Sequence, residues 1–138
     1  MTTILIIDDD EDVRETLCTA LQLEDYTILE APHGDYGLRL LEKQMVDLVV
    51  TDIFMPEKEG LETIVEIKGR WPNLKVIAIS GGPGTFGRSG AENRDFLPAA
   101  KDMGADRVLN KPFLPSELIA VVEELLVDTP SDANVKVE

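Results

Sequence analysis

An α/β fold, a doubly wound five-stranded parallel sheet with helices on both faces, is predicted by three features of this chain. Short apolar runs rich in β-branched residues alternate with segments of helical periodicity. Leu48, Val49 and Val50 form a continuous apolar run, the pattern of a strand buried on both faces. Each run then stops at a polar residue, which puts polar side chains at the carboxyl edge of the sheet, where open α/β folds keep their ligands.

The first strand is read at Thr3 to Ile7, which breaks into Asp8, Asp9, Asp10, Glu11 and Asp12. Val13, Leu17, Ala20 and Leu21 follow at helical spacing. Acids just ahead of them suit a helix amino terminus through capping and the macrodipole, an account of the acidic run that needs no chemistry. Tyr26 to Glu30 reads as the second strand, and Pro32, His33 and Gly34 as a turn. A helix from about Asp35 to Gln44 turns Leu38, Leu40 and Leu41 toward the core. Gly37 weakens it by roughly 1 kcal/mol relative to alanine.

The central strand, from Leu48, ends at Asp52, and Pro56 ends any ladder pairing beyond it. After a polar loop from Glu57 to Gly60, Leu61, Ile64, Val65 and Trp71 are expected on one face of a third helix, closed by Pro72 and Asn73. Lys75 to Ile79 is the fourth strand, ending at Ser80. Arg107 to Asn110 is the fifth, ending at Lys111. Pro115 to Val127 is the last helix, with Leu118, Val121, Val122, Leu125 and Leu126 inward and Pro115 and Glu117 suited to its first turn. Such alternation implies right-handed crossovers.

Between the fourth and fifth strands, Gly81 to Gly90 is glycine-rich but lacks the Gly-Lys-Ser/Thr ending of a nucleotide loop. It reads as a flexible loop, followed by a short helix at about Leu97 to Met103 that tolerates Pro98 in its first turn. Residues 128–138 have no apolar periodicity and read as a mobile tail, leaving residues 1–127 as one domain.

Composition narrows the function classes. A chain of 138 residues suits one domain with a real core. The formal net charge of −14 repels a phosphate backbone, so direct nucleic-acid binding is not expected, whereas cations and basic partner surfaces are. The single cysteine, Cys18, forms no internal disulfide and reads as a small packing residue. No stretch approaches a membrane span or a signal peptide, and the expected compartment is the reducing cytoplasm.

In a sheet of this kind the strand ends are neighbours, so Asp8, Asp9, Asp52, Ser80 and Lys111 can converge although they are far apart in sequence. Ile-Asp-Asp after the first strand, Thr-Asp-Ile-Phe-Met-Pro after the third, Ser80 after the fourth and Lys111-Pro112-Phe113 after the fifth closely resemble the receiver domain of two-component response regulators, the CheY-like superfamily. One Asp-Asp pair is a weak signal; four elements in order at four strand ends are a specific one. The resemblance runs from residue 3 to about residue 127.

The resemblance implies a flavodoxin-like strand order, 2-1-3-4-5, in a stand-alone signalling domain rather than an enzyme. Asp52 is then the phosphoacceptor, taking its phosphoryl group from a sensor histidine kinase or a histidine phosphotransfer protein. Asp9 and Asp52, with the Phe54 carbonyl, would bind Mg²⁺ directly, and Asp8 would help through water. Three carboxylates so close repel one another by about 4 kcal/mol per pair at 4 Å and an effective dielectric of 20, a cost that a divalent cation removes. Lys111 would pair with the phosphoryl oxygens and Ser80 would donate a hydroxyl to them, with a cis peptide before Pro112 aiming the lysine inward. Phosphorylation would change affinity for a downstream protein, through the helix at 97–103, the fifth strand and the last helix. The domain is expected to be a monomer or to dimerise on phosphorylation. His33, in a turn, is not expected to carry phosphate or metal, and Asp10 is a candidate to adjust the metal site.

Two departures from the family pattern bear on switching. Val108 stands three residues before the lysine, where many receivers carry an aromatic switch, so ordering of Gly81 to Gly90 is expected to replace part of that signal. Equal amide-exchange protection of this loop with and without a phosphoryl mimic would remove that idea. Phe54 and Gly82, two residues after Asp52 and Ser80, provide no amide or carboxylate to place a water. A long-lived aspartyl phosphate is therefore expected, and loss of phosphate within seconds without a phosphatase would contradict it.

Competing readings are weaker. Phosphatases that use an aspartyl phosphate usually place a second Asp where this chain has Phe54. A flavin-binding module would want a phosphate-binding loop where this chain has five acids. A receiver-like scaffold that never takes phosphate would not need all five site residues.

Overall fold

The computed structural model describes residues 2–53, 60–80, 104–110 and 113–127. Expectations for the Phe54 carbonyl, Gly82 and the glycine-rich segment 81–90, the helix at 97–103, Lys111 with Pro112, and the tail 128–138 lie outside the described residues. The order of elements is β1 (Thr3–Ile7), α1 (Glu11–Gln22), β2 (Thr27–Ala31), α2 (Gly34–Lys43), β3 (Leu48–Asp52), α3 (Gly60–Arg70), β4 (Lys75–Ser80), β5 (Arg107–Asn110) and α4 (Pro115–Val127). All strand pairs are parallel and the sheet order is β2-β1-β3-β4-β5, as the sequence implies.

Alternation along the strands builds two cores. Leu5, Ile7, Val49, Val76 and Ala78 point to one face, where Leu38 and Leu41 of α2 and Ile64 and Ile67 of α3 cover them. Ile4, Ile6, Leu48, Val50, Ile77 and Ile79 point to the other, beneath Leu17 and Leu21 of α1 and Leu118, Val122 and Leu125 of α4. Because both faces are covered, β1 and β3 can be apolar at consecutive positions, and each fully buried Ile or Leu contributes about 2 kcal/mol. β2 and β5, at the edges, are only partly buried.

The expected inner face of α3 needs one correction. Val65 is 47% exposed, whereas Ile67, not anticipated, is fully buried. Ile64, Ile67 and Trp71 recur at i, i+3 and i+7, and Val65 lies about 100° round the helix from Ile64, which turns it to solvent. Leu40 in α2 and Val121 and Leu126 in α4 are likewise half-buried flanks of their stripes.

Gly37 has a structural reason that propensity alone misses. A Cβ built there would lie 2.6 Å from Ile7 Cδ1 and 3.0 Å from Ile7 Cγ1. The missing side chain thus lets α2 seat directly on the end of β1, beside the loop that carries Asp8.

Candidate functional site

The acidic run divides its work along the chain. Asp10 is the N-cap of α1, accepting from the backbone N–H of Asp12 (2.9 Å) and Val13 (3.3 Å). Glu11 and Asp12 occupy the first turn, where negative charge favours the helix dipole. Capping therefore explains three of the five acids and leaves Asp8 and Asp9 for something else.

Asp8 follows the last residue of β1 and is 1% exposed; its N–H donates to the Ala31 carbonyl at 3.1 Å, and its Oδ1 accepts from the Asp10 N–H at 2.9 Å. Asp52 ends β3 and is 5% exposed, while Asp9 is exposed. One carboxylate oxygen from each of Asp8, Asp9 and Asp52 lies within 4.8 Å of the other two. Burying carboxylates side by side is costly unless positive charge joins them, and this donor set of hard oxygens suits Mg²⁺. Asp9 is exposed, so the cluster meets solvent at that carboxylate.

The remaining predicted residues are placed by backbone. In the β3–β4 register Asp52 stands opposite Ile79, so Ser80 lies one step beyond it on the neighbouring strand, at the same edge. Ser80 in turn stands opposite Asn110, the residue before Lys111. Three predicted acids thus converge, Ser80 shares their edge, and Lys111 and Phe54 fall outside the described residues.

The model of the response regulator receiver domain matches residues 4–123. The chain belongs to this family. The receiver is 34% identical over 131 residues to response regulator MprA of Mycobacterium tuberculosis, covering 94% of this chain and 53% of that protein. It thus spans about half the length of the curated relatives of that name. It is also 34% identical to an uncharacterised 14.6 kDa protein of Leptolyngbya boryana, covering 94% of each. Among solved structures, a CheY-like receiver domain protein from Methanospirillum hungatei superposes with a TM-score of 0.80 at 27% identity, covering 93% of this chain and 95% of that one. The receiver domain of NtrX from Brucella abortus gives 0.79 at 29% identity, covering 91% and 99%. This is therefore a receiver domain of two-component signal transduction, with an acidic cluster compatible with magnesium.

Around the receiver's site, three side chains carry roles that sequence patterns do not reveal. Arg14, on α1, donates from Nη1 to the Asp8 carbonyl at 2.7 Å and from Nε to Glu30 Oε1 at 3.1 Å. The Cys18 thiol donates to Glu30 Oε2 at 3.3 Å. Burial, then this contact with Glu30, pushes the thiol pKa up to about 12. Only a spacing of one helical turn between Arg14 and Cys18 hinted that they share a face; their partner sixteen residues beyond Arg14 was not legible. His33 caps α2, its Nδ1 accepting from the Tyr36 N–H at 3.3 Å. Val108 is half-buried against the core on the α2–α3 face, a packing position.

Proposed function

We propose that this receiver takes a phosphoryl group onto Asp52 from a sensor histidine kinase or a histidine phosphotransfer protein, in a Mg²⁺-dependent reaction, and thereby changes its affinity for a downstream protein. The reading is carried by the approach of the Asp8, Asp9 and Asp52 carboxylates to within 4.8 Å at the end of a buried strand. Asp9 and Asp52, with the Phe54 carbonyl, would hold the ion, and Asp8 would act through water. Bound magnesium supplies the positive charge that lets carboxylates and phosphoryl oxygens approach.

The chain's own residues do the rest. An Asp52 carboxylate oxygen forms the new bond to phosphorus as the phosphorus–nitrogen bond of the donor phosphohistidine breaks, its electron pair returning to the imidazole. Lys111 would pair with the phosphoryl oxygens as a compact cation, and the Ser80 hydroxyl would donate to them. The chemistry is confined to the domain's own phosphorylation and dephosphorylation. Residues 1–127 act as the receiver unit with 128–138 as a tail, and the setting is the cytoplasm. No helix among the described residues is long and apolar enough to cross a membrane. A partner with a basic surface suits the net charge of −14, and affinity changes of about 1–3 kcal/mol are typical of such coupling.

Incubating the protein with a small acyl phosphate and Mg²⁺, followed by intact mass, tests the reading. A gain of about 80 Da is expected, lost in Asp52→Ala and when the metal is chelated. No gain in the unaltered protein, or a gain that survives Asp52→Ala, overturns it.

A further inference from the structure

We infer that Arg14 and Glu30 form a clamp that sets the direction of the Asp8–Asp9 peptide and, through it, the metal affinity of the acidic site. The inference rests on the metal-dependent reading of that site proposed above.

Asp8 is held at both of its backbone groups. Its N–H donates to the Ala31 carbonyl on β2, and its C=O accepts from Arg14 Nη1 at 2.7 Å, the short length of a charge-assisted bond. Arg14 is itself anchored to β2, because its Nε donates to Glu30 Oε1, and Glu30 stands opposite Ile6 in the β1–β2 register. The Cys18 thiol, on the other carboxylate oxygen of Glu30, fixes the anchor's orientation. One side chain therefore joins α1, β2 and the turn that carries both acids.

The consequence falls on Asp9. Asp8 is buried and packed, but Asp9 is exposed, so whether its carboxylate meets those of Asp8 and Asp52 depends on how the preceding peptide is turned. Arg14 fixes that peptide by its carbonyl. Its positive charge is already committed to Glu30 in an ion pair, so its effect on the acids is chiefly geometric. Partners that orient metal ligands in this way commonly control affinity by about 10–100-fold. Lysine would keep the charge but could not donate from two separate nitrogens of a rigid fork, which makes Arg14 a positioning residue with a distinctive substitution pattern.

Calorimetric titration of the whole chain with Mg²⁺ tests the clamp, alongside thermal melting in the presence of a chelator. Arg14→Ala and Arg14→Lys are each expected to weaken Mg²⁺ binding about 10-fold, and Glu30→Ala by several-fold. Binding within twofold of the unaltered protein in the Arg14 variants overturns the clamp, even if their chelated melting temperature falls, because that is what a purely structural role would give. Full affinity in Arg14→Lys with weak binding in Arg14→Ala also overturns it, by showing that charge alone suffices. If Arg14→Ala does not fold, Glu30→Ala, altered at a more exposed side chain, decides by the same criterion. Failure of the unaltered protein to bind Mg²⁺ overturns the metal-dependent reading and the clamp with it, whereas normal binding with unaffected variants overturns the clamp alone.

Discussion

Central and edge strands of the sheet lead to the candidate site residues under different constraints. Every residue from Ile4 to Ile7 in β1 and from Leu48 to Asp52 in β3 is buried, and each strand is paired on both sides. In β5, which among the described residues pairs only with β4, Arg107, Val108 and Leu109 are half-buried and Asn110 is exposed. The acids therefore emerge from strands that cannot shift without exposing core, whereas Lys111 follows a strand held along one edge. On the proposed reading, the ligands of an ion need preorganisation while a lysine that closes on a transferred group needs latitude, and the burial of the strands divides in that sense.

Matched truncations give the largest effect that could break this contrast. Leu5→Ala in β1 is expected to cost about 3–4 kcal/mol in urea unfolding and Leu109→Ala in β5 about 1–2 kcal/mol. Equal losses would show that the edge strand is as constrained as the centre. Relief of repulsion comes next. Asp52→Asn is expected to stabilise the metal-free protein by about 1–2 kcal/mol and to abolish the rise in melting temperature on adding Mg²⁺. A lower melting temperature with chelator present would mean that the three carboxylates do not repel as their spacing implies.

Smaller effects sharpen the picture around β1 and β2. Gly37→Ala gains helix propensity but drives a methyl into Ile7, for a net loss of about 1 kcal/mol measured by the same unfolding curves. A net gain would mean that Ile7 can move aside, and that the end of β1 is softer than its burial suggests. The smallest expectation concerns Cys18. Its thiol pKa is raised from 9.0 to about 12, so the protonated thiol's contribution is complete below about pH 9 and is lost as pH rises toward 12. The pH dependence of stability over that range should flatten in Cys18→Ala; an unchanged slope would assign it to other groups.

Much of this was legible locally. β1, β5 and α4 begin and end where the apolar runs and polar breaks put them, and β4 runs one residue further, to Ser80; for the central strands the reason is that a strand buried on both faces has no alternative to a continuous apolar run. The three acids were legible for the same reason, since each marks where such a strand leaves the core. Val65 and Ile67 were not, because one residue of phase on a helix exchanges core for solvent. Gly37 read as a defect, since the atom that excludes a side chain there belongs to Ile7, on another element.

Residue order alone determined the alternation of elements and the candidate acids, which depend on short-range periodicity and on which side chains water rejects, while the motifs at the strand ends carried the resemblance to the family. Tertiary structure alone decided that Asp10 caps α1 while Asp8 and Asp9 turn toward Asp52, and that Arg14 reaches Glu30 and the Asp8 carbonyl together. The convergence on Asp52 and the reach of Arg14 to Glu30 require distances between residues far apart in the chain, which only the pairing of β1 with β3 and the packing of α1 against β2 can set.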